Sequence, residues 1–147
     1  MAEEKVTPRI FLDTSAWLAF FCRPAGGTGE ILRLARKGYA VILTSAGVLE
    51  EIQRNLRKTR CSPSDVDLVL QEVAPVTVWI SVADIDEVSN DVEEKDRHII
   101  AAAVKGKADF LVSFDRRHIT APEIKEKIPV RAGDAGECLK WLWEVLS

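Results

Sequence analysis

Three aspartates and a glutamate of this 147-residue chain stand where a carboxylate is costly without a partner. Asp13 closes the run Ile10-Phe11-Leu12, and Asp115 comes two residues after Ser113 at the end of Phe110-Leu111-Val112. Asp96 precedes Ile99, Ile100 and Ala103 by three, four and seven residues, so it continues their stripe on one helical face. A carboxylate there must be paired, hydrogen-bonded or bound to a cation. Glu50 and Glu51 offer a fourth acid. At about 100° per residue, the stripe Val48, Leu49, Ile52 and Leu56 centres nearer Glu51. Glu51 is therefore expected to turn inward, although register alone leaves Glu50 open.

Carboxylates gathered in one pocket repel each other and hold their protons until a cation compensates. Oxygen donors with no supporting His or Cys select Mg²⁺ or Mn²⁺ over zinc. Such an ion, still carrying water, suits phosphodiester hydrolysis, because it activates the water and neutralises developing charge. Each acid also has a plainer reading. Asp13 and Asp115 suit helix caps or the surface, Asp96 suits a helix cap or the positive end of a helix dipole, and Glu51 suits a solvated helix face. The four together are more specific than any one.

The elements that would position these acids alternate between strand and helix. Arg9 to Asp13 reads as a buried strand, with Thr14 or Ser15 capping a helix over Ala16 to Phe21. After a loop from Pro24 to Gly29, a helix carries Ile31, Leu32, Leu34 and Ala35 and stops at Gly38. Ala40 to Leu43 is a second strand, and Thr44 or Ser45 opens the helix bearing Glu51. Ser62-Pro63-Ser64-Asp65 looks like another helix start, followed by Val66, Val69, Leu70 and Val73. Val76 to Ser81 is a third strand, Asp91 to Lys107 a helix and Ala108 to Ser113 a fourth strand. A helical turn near Glu123 leads to a short strand at Ile128-Pro129-Val130, and Asp134 to Leu146 forms the last helix. No tight hairpin turn interrupts this order, which argues for a parallel sheet covered on both faces. In such sheets ligands bind beyond the carboxyl ends of the strands, where Asp13 and Asp115 fall.

The length suits one domain spanning 1–147, and an apolar fraction of 47% suffices for a core. A net charge of −3 excludes a global basic field, though a local patch or bound ion still accommodates RNA. No apolar run approaches the roughly 20 residues that span a bilayer. The charged start, Met1 to Lys5, lacks a secretory leader, and a cytoplasmic location is expected. Cys22, Cys61 and Cys138 are odd in number and widely spaced, which argues against a disulfide framework and a structural zinc site.

The segments Phe11-Leu12-Asp13-Thr14-Ser15-Ala16-Trp17-Leu18, Val48-Leu49-Glu50-Glu51-Ile52, Asp96-Arg97-His98-Ile99-Ile100-Ala101-Ala102-Ala103 and Ala108-Asp109-Phe110-Leu111-Val112-Ser113-Phe114-Asp115 resemble the PIN-domain ribonucleases in order and spacing. The resemblance implies a Rossmann-like three-layer α/β/α fold with a short parallel central sheet. It implies a metal-dependent endoribonuclease acting on single-stranded RNA, with Mg²⁺ or Mn²⁺ held by Asp13, Glu51, Asp96 and Asp115. Ser15 and Ser113 fall on the family's small polar positions, which orient carboxylates or metal-bound water. Small stand-alone members such as VapC-type toxins form homodimers and pair with an antitoxin, so both are expected partners. The stretch from Arg60 to Ser89 matches nothing specific.

Arg54, Arg57, Lys58 and Arg60 follow Glu51, and Arg116 and Arg117 follow Asp115. A solvated face is the default for such a run, but a basic strip leading from an acidic site also suits an RNA backbone. His98, two residues past Asp96, is expected to point away from the site. His118 is expected as a solvated loop residue. Trp141 and Trp143, two apart on the last helix, cannot share a face, so one is expected to be exposed and free for a dimer or antitoxin contact. Two other functions compete. A phosphatase using Asp13 as nucleophile needs a second acid two residues on, where Ser15 stands. An inactive PIN-like binding module in an RNA-processing complex has no need to keep four acids.

Overall fold

Five parallel strands in the order β3-β2-β1-β4-β5 form the centre of the computed structural model, which describes residues 6–59 and 66–147. The strands are β1 (Arg9–Leu12), β2 (Val41–Thr44), β3 (Val76–Thr77), β4 (Phe110–Val112) and β5 (Ala132–Gly133). Successive residues Ile10, Phe11 and Leu12 of β1 are all fully buried, as are Leu111 and Val112 of β4. Neighbours on a strand point to opposite faces, so both faces of the sheet are covered. Each such side chain contributes ~1.5–3 kcal/mol through burial. The expected parallel, doubly covered α/β sheet is thus what the chain adopts.

Helices α1 (Thr14–Cys22), α2 (Gly27–Arg36), α3 (Ala46–Leu56), α4 (Val66–Val73), α5 (Val82–Asp86), α6 (Arg97–Lys105), α7 (Pro122–Lys125) and α8 (Ala135–Leu146) supply the cover. α3 packs on α6 and α6 on α5, α2 packs on α4 and α8, and α1 touches both α2 and α3. α2 buries Ile31, Leu32 and Leu34 and ends before Gly38, whose φ of +87° suits a residue without Cβ. Ser45 caps α3, accepting from Val48 N, and Asp134 caps α8 through a capping box with Glu137. The chain lays β1 in the middle, adds β2 and β3 on one side, then crosses to β4 and β5 on the other. β1 pairs with β4 through Ile10↔Phe110, Phe11↔Leu111 and Leu12↔Val112. That junction is the topological switch point, where ligands bind in open α/β sheets.

Several boundaries differ from expectation for local physical reasons. Asp13, not Thr14 or Ser15, caps α1, accepting from Ala16 N. β3 ends at Thr77 rather than Ser81, because this edge strand has only β2 to pair with and Trp79 is exposed. Ser81 instead begins α5 with a capping box to Asp84. The last strand is Ala132–Gly133 rather than Ile128–Val130, since Pro129 has no N–H to donate and Leu111 N finds Arg131 O. The helix expected from Asp91 begins as a 3₁₀ turn at Glu94–Asp96 and becomes α-helical at Arg97. Cys22 is disulfide-bonded, against the expectation from cysteine spacing, while Cys138 is a free thiol in the core. The helix start at Ser62–Asp65, and Arg60, lie outside the described residues. Among the described residues no helix is long and apolar enough to cross a membrane.

A Cβ at Gly29, in the first turn of α2, would stand 1.8 Å from the Pro24 carbonyl oxygen. At Gly136 in α8 the nearest such atom is Asp134 Oδ1 at 3.4 Å. Gly29→Ala is expected to destabilise by ~1–3 kcal/mol. Gly136→Ala should be neutral or stabilising by up to ~1 kcal/mol. Urea unfolding of the two variants checks the order.

Candidate active site

Asp13 leaves β1 with its N–H donating to Val112 O at 3.1 Å, so the β1–β4 ladder runs up to the site. Its carboxylate, 2% exposed, accepts from Ala16 N at 3.0 Å and from Ser15 Oγ at 2.5 Å. Ser113 also hydrogen-bonds this carboxylate. Burial nevertheless outweighs these donors, and with Asp115 close by the Asp13 pKa rises from 3.8 to about 6. The two serines tie the strand ends together. Ser15 Oγ accepts from Phe114 N at 2.9 Å, and Ser113 Oγ accepts from Asp115 N at 3.0 Å. Ser15 thus donates to the Asp13 carboxylate, and Ser113 holds the backbone of Asp115.

Asp115 is half-buried and makes a different set of bonds. Its Oδ1 accepts from the backbone N–H groups of Arg117 (3.1 Å) and His118 (3.0 Å), and its Oδ2 is 3.1 Å from His118 Nδ1. Burial acts to raise its pKa, but the His118 ring and these amides outweigh it, and the pKa is lowered. Asp96 is 8% exposed and ends the 3₁₀ turn without a side-chain capping bond, so the plain reading of it as a helix cap does not apply. Its Oδ2 is buried with no hydrogen-bond partner. Burial first, then the neighbouring Asp115, raises its pKa.

Glu51 turns inward and Glu50 outward. Glu51 Oε2 accepts from Thr14 Oγ1 at 2.6 Å, while Oε1 lies 2.7 Å from His98 Nε2. Glu50 is 73% exposed, 3.9 Å from Arg54. Burial works to raise the Glu51 pKa, but His98 and Thr14 outweigh it and the pKa is lowered. Thr14 adjoins Asp13, so this network borders the aspartate cluster.

Four residues here escaped the sequence reading. His98 contacts Glu51 on α3, and Gly47 leaves room for its ring, since a Cβ there would lie 2.8 Å from His98 Nδ1. His118 is not merely solvated, because it bridges Asp115 and Glu93, with Nε2 3.3 Å from Glu93 Oε2. Thr14 and Glu93 complete the set. Glu93 lies three residues before Asp96, a spacing that could have flagged it. His98 meets Glu51 on α3 rather than Asp96, a contact between two helices that counting along one helix cannot show. Arg54, Arg57, Arg116 and Arg117 are all exposed, and Arg116 sits 3.8 Å from Asp134. Trp143 is exposed as expected, while Trp141 packs on Phe110 beneath Arg131. An apolar cleft of about 500 Å³ is lined by Val88, Ile100, Val104 and Ile128, and none of the four acids borders it.

Buried, mutually repelling carboxylates and an unpartnered Asp96 oxygen fit a hard divalent cation. Without one, charged Asp13 destabilises the fold. Its folded pKa exceeds the unfolded value, so this cost is absent below about pH 4 and grows as pH rises through about 6. In metal-free buffer, Asp13→Asn is expected to be more stable than the native chain above pH 6, by up to ~3 kcal/mol. The gap should close near pH 3.5, and thermal unfolding across that range checks it. No gain at pH 7 would show that charged Asp13 is already compensated.

No curated protein matches the chain. Among solved structures, VapBC2 from Rickettsia felis, bound to a DNA fragment from its promoter, superposes with a TM-score of 0.58 at 17% identity, covering 86% of this chain and 98% of that one. VapC20 of Mycobacterium tuberculosis, a toxin that cleaves the sarcin-ricin loop, superposes with a TM-score of 0.52 at 20% identity, covering 77% and 95%. At these identities the likeness establishes the shared fold. The model of the PIN domain matches residues 9–117, from the first residue of β1 to two residues past Asp115. That span contains all four acids in their expected order, and the chain belongs to the PIN-domain family.

Proposed function

We propose that this chain is a divalent-metal-dependent endoribonuclease that hydrolyses phosphodiester bonds of single-stranded RNA. The observation that carries the reading is the buried, unpartnered Oδ2 of Asp96 beside Asp115, at the sheet end where Asp13 is also buried. Asp13, Asp96 and Asp115 would hold Mg²⁺ or Mn²⁺, with Glu51 as the fourth acid. When bound, such an ion lowers the pKa of its water and neutralises charge on phosphoryl oxygens. Ser15 and Ser113 keep the Asp13 carboxylate in place, and Thr14 with His98 fix Glu51 as a carboxylate. Arg116 and Arg117, beside Asp115, and Arg54 and Arg57, at the end of α3, offer exposed cations to the RNA backbone.

By likeness to the VapC toxins, the chain acts as a single PIN-like domain in the cytoplasm, as a homodimer, paired with an antitoxin. The exposed Trp143 is a candidate contact for either protein partner.

Cleavage of labelled single-stranded RNA in Mn²⁺, in Mg²⁺ and with EDTA tests the function directly. Metal-dependent cleavage is expected, falling by at least ~10²-fold in Asp13→Asn, Asp96→Asn and Asp115→Asn with unfolding behaviour still cooperative. Full activity in any two of these variants sinks the site. No cleavage by the native chain under any of these conditions moves the weight to an inactive binding module. Glu51→Gln should cost far more activity than Glu50→Gln. Replacing both Arg116 and Arg117 with Ala should weaken RNA binding and flatten its salt dependence, measured by fluorescence anisotropy at several ionic strengths.

A further inference from the structure

We infer that Glu93, Asp96 and His118 form a mixed oxygen–nitrogen site for a first-row transition ion of the Mn²⁺ class, beside the carboxylates of the proposed nuclease centre. The inference rests on that reading for Asp96 alone and adds two residues that it leaves unused. His118 falls one residue beyond the stretch matched to the PIN domain.

One ligand atom from each residue lies within 4.8 Å of the other two. His118 Nε2 is 3.3 Å from Glu93 Oε2. An ion with bonds of about 2.1 Å holds adjacent donors about 3 Å apart and opposite donors about 4.2 Å apart. Small side-chain shifts therefore suffice to close the set on one ion.

Two further features point to a cation rather than a chance cluster. Asp96 is 8% exposed, and its Oδ2 is buried without a hydrogen-bond partner while lying near the His118 ring. A buried carboxylate oxygen without a partner is costly, and Glu93 adds a second negative charge to the same space. Asp115, meanwhile, orients the ring. With the proton on Nδ1 and donated to Asp115 Oδ2 at 3.1 Å, Nε2 keeps its lone pair on the side facing Glu93. Lys95 Nζ is 3.6 Å from Glu93 Oε2, but its side chain is 65% exposed and can withdraw into solvent.

The ring nitrogen alters metal preference. An all-oxygen site serves Mg²⁺ well, whereas an imidazole nitrogen shifts a site toward first-row transition ions, of which Mn²⁺ is the one that two carboxylates also suit. The chain has only two histidines, and His98 is engaged by Glu51 at 2.7 Å. Any nitrogen from a histidine side chain found on a bound ion must come from one of these two.

The test uses the full chain, stripped with a chelator and titrated with Mn²⁺ alone. Loss of the free-ion EPR signal gives affinity, and electron-spin-echo envelope modulation reports nitrogen bonded to the ion. Nitrogen modulation is expected in the native protein and in His98→Ala, and is expected to vanish in His118→Ala. Mn²⁺ affinity at the weakened site should fall about tenfold or more in His118→Ala and Glu93→Gln. Mg²⁺ affinity, read by competition, should move less than about threefold. Bound Mn²⁺ without nitrogen modulation in the native chain overturns this site while leaving the oxygen-ligated centre standing. Modulation that survives His118→Ala also overturns it. Absence of any Mn²⁺ binding overturns both readings.

Discussion

Where β1 and β4 end side by side, the N–H of Asp13 donates to Val112 O and the N–H of Phe114 donates to Ser15 Oγ. These two bonds join the exit of each strand to the other. Every acid at the site takes its position from that seam or from an element packed on it. Asp13 uses it to enter α1, Asp115 follows it by one residue beyond Phe114, and Thr14 carries its influence to Glu51 on α3. A slip of one residue in the β1–β4 register would send Phe11 and Leu111 to the wrong faces. Core packing therefore fixes the register, and the register fixes the site.

The seam also sorts the carboxylates into two electrostatic kinds. Asp13 and Asp96 are buried deeply enough that their pKa values rise, whereas Asp115 and Glu51 each face a histidine and stay ionised more readily. A pocket of this composition is poor at stabilising the chain by itself. Its negative charge and its unpartnered Asp96 oxygen are tolerated because the surrounding sheet, with Ile10, Phe11 and Leu12 of β1 fully buried, over-determines the backbone. Strained or frustrated polar groups of this kind collect at functional sites, where a ligand relieves them.

Both histidines act on acids, from opposite sides of the site. His98 reaches from α6 to α3 and holds Glu51, and Gly47 makes room for the ring. His118 leaves the loop after β4 and touches Asp115, Glu93 and the neighbourhood of Asp96. The likeness to VapBC2 and VapC20 at 17% and 20% identity covers the fold, so these contacts are read from this chain alone.

The sequence by itself determined the parallel α/β sheet, the order of its elements and which acids are candidates. These follow from local signals: unbroken apolar runs for buried strands, helical spacing for apolar stripes, and a carboxylate just beyond each of β1 and β4. The turn of Glu51 toward the core was legible for the same reason, since the wheel position of a residue inside a regular helix is a local property. Only the tertiary structure decided what those acids touch. Val76–Ser81 carries strand-forming residues, yet it pairs over two because an edge position offers one neighbour. His98 meets Glu51 across the packing of α6 on α3, which counting along one helix cannot show. His118 and Glu93 lie 25 residues apart in sequence, and no local pattern links them. Their proximity arises from the crossover that brings the start of α6 beside the end of β4, a contact set by packing of the whole sheet.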